Sequence, residues 1–269
     1  MSRIALVGNA CVDRIAGDRS SPGGGVFHAA RAATRIGADV VAVTRCAPAD
    51  RATTIAPLEA LDVPVTVADG RETTAFSFHY EGDHRVMTVD AVGDPWTPDD
   101  VVGWAAPPLA DARWVLVAGL LRSHFPAPTV AALARDGRRL LLDAQGIVRV
   151  ARAGPLERNA DIDRAVLAHL AVLKLNEDEA RILAGALDAE SLLALGVPEV
   201  VLTLGSEGAR IVTPELDTAI PPHPVAAPNP TGAGDAFSLV YLDGRESGLD
   251  PVAAAERASR EVADMLADA

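Results

Sequence analysis

The sequence predicts an α/β fold with a mostly parallel sheet covered by helices on both faces. Three observations predict it. Short apolar runs alternate with alanine-rich stretches along the chain. The runs read as continuously apolar, as strands buried on both faces do. The apolar fraction is 49% over 269 residues, enough for one large domain with a small appendage.

The first strand falls at 4–7. A helix follows at 27–36, with Gly37 as its stop. Further strands are expected at 40–44, 114–118, 139–143, 171–175 and 200–204. Helical stretches near 126–135, 177–185 and 189–195 lie between the later strands. Sites in such sheets form at the carboxyl ends of strands. One segment breaks the rhythm. ETTAFSFHYEGDHRVMTVD (72–90) alternates with period two and turns at Glu81-Gly82-Asp83, which predicts an antiparallel hairpin. Phe76, Phe78 and Tyr80 share one face of it. An apolar stripe on a two-stranded ribbon needs cover, so a homodimer pairing through this hairpin is expected.

Charge and cysteine usage exclude several classes. Lys and Arg number 24 against 37 Asp and Glu, a formal charge of −13. That argues against nucleic acid and against an anionic membrane surface as partners. Cys11 and Cys46 make no disulfide framework, and no His/Cys cluster has zinc spacing. The N-terminus has no basic region followed by an apolar core, and no run reaches about 18 apolar residues. A reducing, cytoplasmic compartment is the expectation.

Four motifs carry chemistry. In Thr231-Gly232-Ala233-Gly234-Asp235 the glycines let successive N–H groups converge, and AGDAFSLVYL continues as a helix. Those N–H groups would meet anionic oxygens at a helix N-terminus. A carboxylate repels phosphate, so Asp235 suits a general base that takes a proton from an attacking hydroxyl. A plain N-terminal helix acid is the alternative. SPGGGVFHAARAATRIGADV (21–40) places three glycines before another helix, either a flexible loop or a close approach to a polar ligand. Its spacing is not that of a dinucleotide fingerprint. In KLNEDEARIL (174–183) Asn176 and Glu179 have capping-box form. VVLTLGSEGARIV (200–212) reads as strand, turn and strand, an ordinary hairpin or a shelf under a purine or ribose.

Taken in order, these motifs resemble those of the ribokinase-like sugar kinases of the phosphofructokinase-B type, over nearly the whole chain. The resemblance implies a three-layer α/β/α sandwich spanning 1–269, with a small β lid from roughly 12–22 and 66–92. It implies transfer of the ATP γ-phosphoryl group to a hydroxyl of a sugar, cyclitol or nucleoside. Asp235 would be the base, and Gly232, Ala233 and Gly234 the anion hole. Asn176 and Glu179 would organise Mg²⁺ through water. Lys174, Asn176, Thr203, Gly205 and Gly208 would hold the nucleotide. Asp13, Gly23 and Gly24 would meet the substrate, with Cys11 and His28 standing where the family has Asn.

Departures limit the carry-over. VAGLLRSHFP holds no acid where ribokinase has Glu, so ribose is not implied. Asn229 stands where the family has an acid that helps hold a monovalent cation, which leaves K⁺ open. Ala258-Ser259 replaces an Asn beside the adenine, and the short span from Asp13 to Gly23 suggests a reduced lid. A kinase-fold binding or regulatory protein without turnover is the competing reading. A dinucleotide-dependent oxidoreductase fails on glycine spacing.

Overall fold

In the computed structural model, the structure describes residues 3–15, 19–81, 84–223, 225 and 231–268. The strands in chain order are β1 (Arg3–Asn9), β2 (Cys11–Ile15), β3 (Arg19–Gly23), β4 (Val40–Cys46), β5 (Val65–Asp69), β6 (Thr74–Glu81), β7 (His84–Ala91), β8 (Ala112–Val117), β9 (Arg139–Asp143), β10 (Gly154–Pro155), β11 (Val172–Asn176), β12 (Glu199–Thr203), β13 (Ala209–Thr213) and β14 (Leu216–Ile220). Among them, nine form one sheet in the order β14-β13-β12-β11-β9-β8-β1-β4-β5. It is parallel from β12 to β5, and β13 and β14 add an antiparallel edge.

Alternation within the strands builds two cores. Ala5 and Val7 of β1, with Val115 and Val117 of β8, face one layer. Ile4 and Leu6, with Trp114 and Leu116, face the other. The second layer is α1 (Gly24–Ile36), α3 (Ala233–Glu246) and α4 (Pro251–Ala267). The first includes Ala127–Leu133 and α2 (Glu177–Ala184). Gly37 ends α1 in the left-handed region at φ 68, as its position after the helical pattern predicted. The chain runs outward from β1 to β4 and β5, then returns to β8 on the other side of β1. That reversal opens a crevice at the carboxyl ends of β1 and β8.

The smaller sheet, in the order β10-β7-β6-β2-β3, covers this end. Its hairpin β6–β7 falls where the period-two segment predicted it, though Gly82 and Asp83 of the turn lie outside the described residues. Two expectations are corrected. Val65–Asp69, inside the expected lid range, pairs in parallel with β4 and belongs to the large sheet. The short span from Asp13 to Gly23 does not reduce the lid either: β3 fits within it, in the expected 12–22 segment, and β10 adds from the segment after β9.

Phe76 and Phe78 are already buried within one chain, at 3% and 7% exposure. Phe76 packs with Cys11, Val89, Leu120 and Leu121. That cover comes from the chain itself and removes the reason for pairing through the lid. The side chain of Tyr80 lies outside the described residues. Among the described residues, no helix is long and apolar enough to cross a membrane.

Candidate active site

The N-terminus of α3 sets the site. Gly232 is its N-cap in the left-handed region, φ 83 and ψ −1. A Cβ there would meet His28 Nδ1 at 2.5 Å, so the turn admits glycine alone while His28 of α1 stands against it. The first N–H groups of a helix have no partner within it, and here they belong to the Gly-Ala-Gly-Asp run. Asp235 sits in that first turn. Residues 226–230, including Asn229 of the K⁺ question, lie outside the described residues.

A cavity of about 200 Å³ opens in front of Asp235. Cys11, Asp13, Gly24, His28, Gly232 and Asp235 all line it, so six of the expected residues converge. Gly23 packs directly on the Asp13 carboxyl, because β3 pairs back onto β2. Cys11 Sγ donates to Asp13 Oδ1 at 3.5 Å. Burial, then the neighbouring Asp13, pushes the Cys11 thiol well up, so it stays neutral. Gln145 Nε2 donates to Asp235 Oδ1 at 3.5 Å. Burial, then the charge of Asp143, pushes the Asp235 carboxyl up to about 7, against the opposing pull of Lys174 and Arg149.

The other expected residues lie beside this cavity rather than in it. Lys174, buried near the end of β11, donates to Asp143 Oδ2 at 2.7 Å. Burial pulls the Lys174 ammonium down, but Asp143 and Glu179 outweigh it and leave it raised. A Cβ on Gly234 would meet Lys174 Nζ at 2.8 Å, so this cation adjoins the first turn of α3. Asn176 and Glu179 form the capping box of α2: Glu179 N–H donates to Asn176 Oδ1 and Asn176 N–H to Glu179 Oε2, both at 2.9 Å. Thr203 stands beside Asn176 in register on β12. Gly205 and Gly208 flank the turn that follows it. None of these three lines the cavity; they lie on β12 and the turn after it, one strand beyond Asn176.

Magnesium can be tested against this arrangement. No group of three or more His, Cys, Asp or Glu among the described residues would hold a metal alone. Glu179 is buried, and burial followed by Asp143 raises its carboxyl. A cation beside Glu179 would offset the charge that Asp143 places on it. Magnesium is content with one or two carboxylates, completed by phosphates and waters. The residues fit that ion.

Asp143, Gln145 and Arg149 were missed in the sequence. The signal was DAQGIVR (143–149): an acid ending a strand, then polar groups four apart. Gln145 and Arg149 line the cavity, and Asp143 holds Lys174.

A glycine turn opening a helix without a side-chain cap, a carboxyl in the first turn and a polar cavity before it form an arrangement compatible with phosphoryl transfer to a hydroxyl. The pfkB family carbohydrate kinase model matches residues 2–263, and the chain belongs to that family. It is 30% identical over 246 residues to the ribokinase of Bacillus subtilis (strain 168), covering 89% of this chain and 79% of that protein. It is 27% identical over 248 residues to the inositol 3-kinase of Oryza sativa subsp. japonica, covering 88% of this chain and 56% of that one. A solved pyrophosphate-dependent kinase of the ribokinase family, bound to a pyrophosphate analogue and myo-inositol, superposes with a TM-score of 0.83 at 22% identity, over 98% of this chain and 94% of that one. The architecture is the ribokinase-like α/β fold, and the chain is a kinase of the pfkB carbohydrate kinase family.

Proposed function

We propose that this kinase transfers the terminal phosphoryl group of a magnesium-complexed phosphoanhydride, ATP in the first instance, to one hydroxyl of a small polyol. The observation that carries the reading is Asp235, in the first turn of α3, facing the cavity that Asp13 and His28 also line. Asp235 takes the proton of the attacking hydroxyl. The N–H groups of Gly232, Ala233 and Gly234 hold the donor's oxygens, with Lys174 beside them. Thr203, Gly205 and Gly208 support the nucleoside. Asp13 and His28 orient the acceptor. Glu179, with Asn176, would hold Mg²⁺ through water, and the ion would neutralise phosphate charge. Chemistry of this kind is chiefly positioning and charge stabilisation.

The cavity, about 200 Å³, falls below the roughly 300 Å³ lower end of pockets that hold drug-sized ligands. That supports a monosaccharide or cyclitol acceptor over a nucleoside. A second donor, pyrophosphate, is favoured by Lys174, whose ammonium adjoins Gly234 and would anchor a donor that has no nucleoside. Both cysteines are buried and free, which supports a reducing, cytoplasmic compartment. The lid-mediated homodimer is not carried forward, because the chain itself covers Phe76 and Phe78.

The test is a phosphorylation screen of pentoses, hexoses, inositols and nucleosides, with Mg-ATP and with Mg-pyrophosphate, with and without K⁺. Turnover of a monosaccharide or an inositol is expected. Ligand-induced thermal shifts with no turnover on any acceptor would instead mark a binding protein.

A further inference from the structure

One cavity-lining group has no part in the reading above. Arg149 follows β9 on the short helical turn Gln145–Val148. Residues four apart share one face of such a turn, so Arg149 lies beside Gln145, and both line the cavity. The turn is pressed onto the loop after β8: a Cβ on Gly146 would meet Gly119 Cα at 2.7 Å. The backbone of Arg149 is tied on both sides. Its N–H donates to Gln145 O at 3.3 Å, and its carbonyl accepts from Arg122 N–H at 3.0 Å. The position is built, not incidental.

The side chain is held but not satisfied. Its guanidinium lies 5.9 Å from the centroid of the lid residue Phe76. Its Nε is buried without a hydrogen-bond partner among the described residues. The other buried cation of the site, Lys174, has Asp143 as its ion-pair partner at 2.7 Å. Arg122 nearby, which does not line the cavity, gives its Nη groups to backbone oxygens and Asn159, and its Nε likewise has no partner among the described residues. A buried donor left without an acceptor is costly, and among the arginines with such an Nε, Arg149 is the one that lines the cavity, where ligand oxygens can meet it. The charges that act on Arg149 are Glu179, Arg158, Asp143 and Asp235. Glu179 and Asp143 belong to the donor end, and Asp235 and Phe76 to the acceptor end. Arg149 therefore stands between the two substrates, and its planar fork matches phosphate oxygens.

We propose that Arg149 grips the transferring phosphoryl group as it passes from donor to acceptor. The proposal rests on the kinase reading above. In the step, the acceptor oxygen forms a bond to phosphorus while the bond from phosphorus to the donor's bridging oxygen breaks. The bridging oxygen leaves with the electron pair, and the acceptor's proton goes to Asp235. Arg149 exchanges no proton; it offsets charge on the oxygens of the group in flight.

The test uses the full chain with Arg149→Gln, Arg149→Lys and Arg149→Ala. Titration calorimetry with Mg-pyrophosphate, without acceptor, should show at least tenfold weaker binding in Arg149→Gln. Turnover should fall on the order of 10²- to 10³-fold, the range for losing one donor to a developing charge, with the acceptor KM nearly unchanged. Arg149→Lys should retain part of the activity. Added guanidinium ion should restore part of the turnover of Arg149→Ala. Turnover within about threefold of wild type in Arg149→Gln would overturn the proposal. So would a raised acceptor KM with kcat intact, which would make Arg149 an acceptor contact. A turnover loss that tracks a lowered melting temperature and resists guanidinium would reduce Arg149 to a structural residue. If no acceptor is ever phosphorylated, the kinase reading fails by itself, and unchanged pyrophosphate affinity in Arg149→Gln then rejects the proposal separately.

Discussion

Burial and the neighbouring Asp143 push the Asp235 carboxyl up to about 7, and this has two consequences with opposite signs. Only the ionised carboxylate can accept the proton of an acceptor. The kcat/KM profile, which reports the free enzyme, should therefore rise with pH through about 7 and fall about tenfold per unit below it. An acid limb near the ordinary carboxylate value of about 4 would contradict that environment. Stability runs the other way. The folded carboxyl keeps its proton up to about 7, whereas an unfolded Asp loses it near 4. Folding thus takes up a proton between those values, and stability declines as pH rises through the window. Asp235→Asn removes the buried charge. It should cut turnover by about 10²- to 10⁴-fold. It should also raise the melting temperature at pH 8 more than at pH 5, by roughly 2–4 °C for each kcal/mol gained. Paired melts at the two pH values check the sign.

At the scale of elements, two helix starts are built differently. The N-terminus of α2 is capped by side chains, Asn176 and Glu179 each accepting from the other's backbone. Asn176→Ala should destabilise the fold by about 1 kcal/mol, the usual worth of such a cap, measured by denaturant unfolding. The N-terminus of α3 has no side-chain cap, which leaves its N–H groups for an anion. Gly232→Ala meets two obstacles there, the positive φ and the His28 ring. It should weaken Mg-pyrophosphate binding at least tenfold. The double variant with His28→Ala should recover only part of that loss, because the backbone strain remains. A double-mutant cycle by calorimetry would read the coupling between the two sites.

At the scale of the whole molecule, the lid and the second half of the sheet meet over one crevice. Phe76 comes from the lid, while Gln145 and Arg149 come from the turn after β9. Phe76→Ala should raise the acceptor KM about tenfold, equivalent to roughly 1.4 kcal/mol. It should leave Mg-pyrophosphate affinity within about threefold, which separates the lid from the anion hole. The residues of this crevice differed in how far the sequence revealed them. Asp235 and the glycines before it were legible because the local backbone makes that site: five consecutive residues turn, donate and present a carboxylate. Asn176 and Glu179 were legible for the same reason, since a capping box spans one helical turn. Arg149, Gln145 and Asp143 were not, because each is unremarkable among its neighbours. Their meaning depends on β9 lying between β8 and β11, which brings them to Asp235, some 90 positions on. The lid boundary failed for a related reason. Val65–Asp69 lies next to the lid hairpin in sequence, and only its pairing with β4 decides that it joins the large sheet. By itself the sequence determined the α/β class and the glycine turn that opens a helix with Asp235 in its first turn, because these arise from short-range periodicity and backbone geometry. Only the tertiary structure decided the raised carboxyl, the size of the cavity and the arginine that lines it, because burial and charge neighbourhood belong to contacts between distant segments.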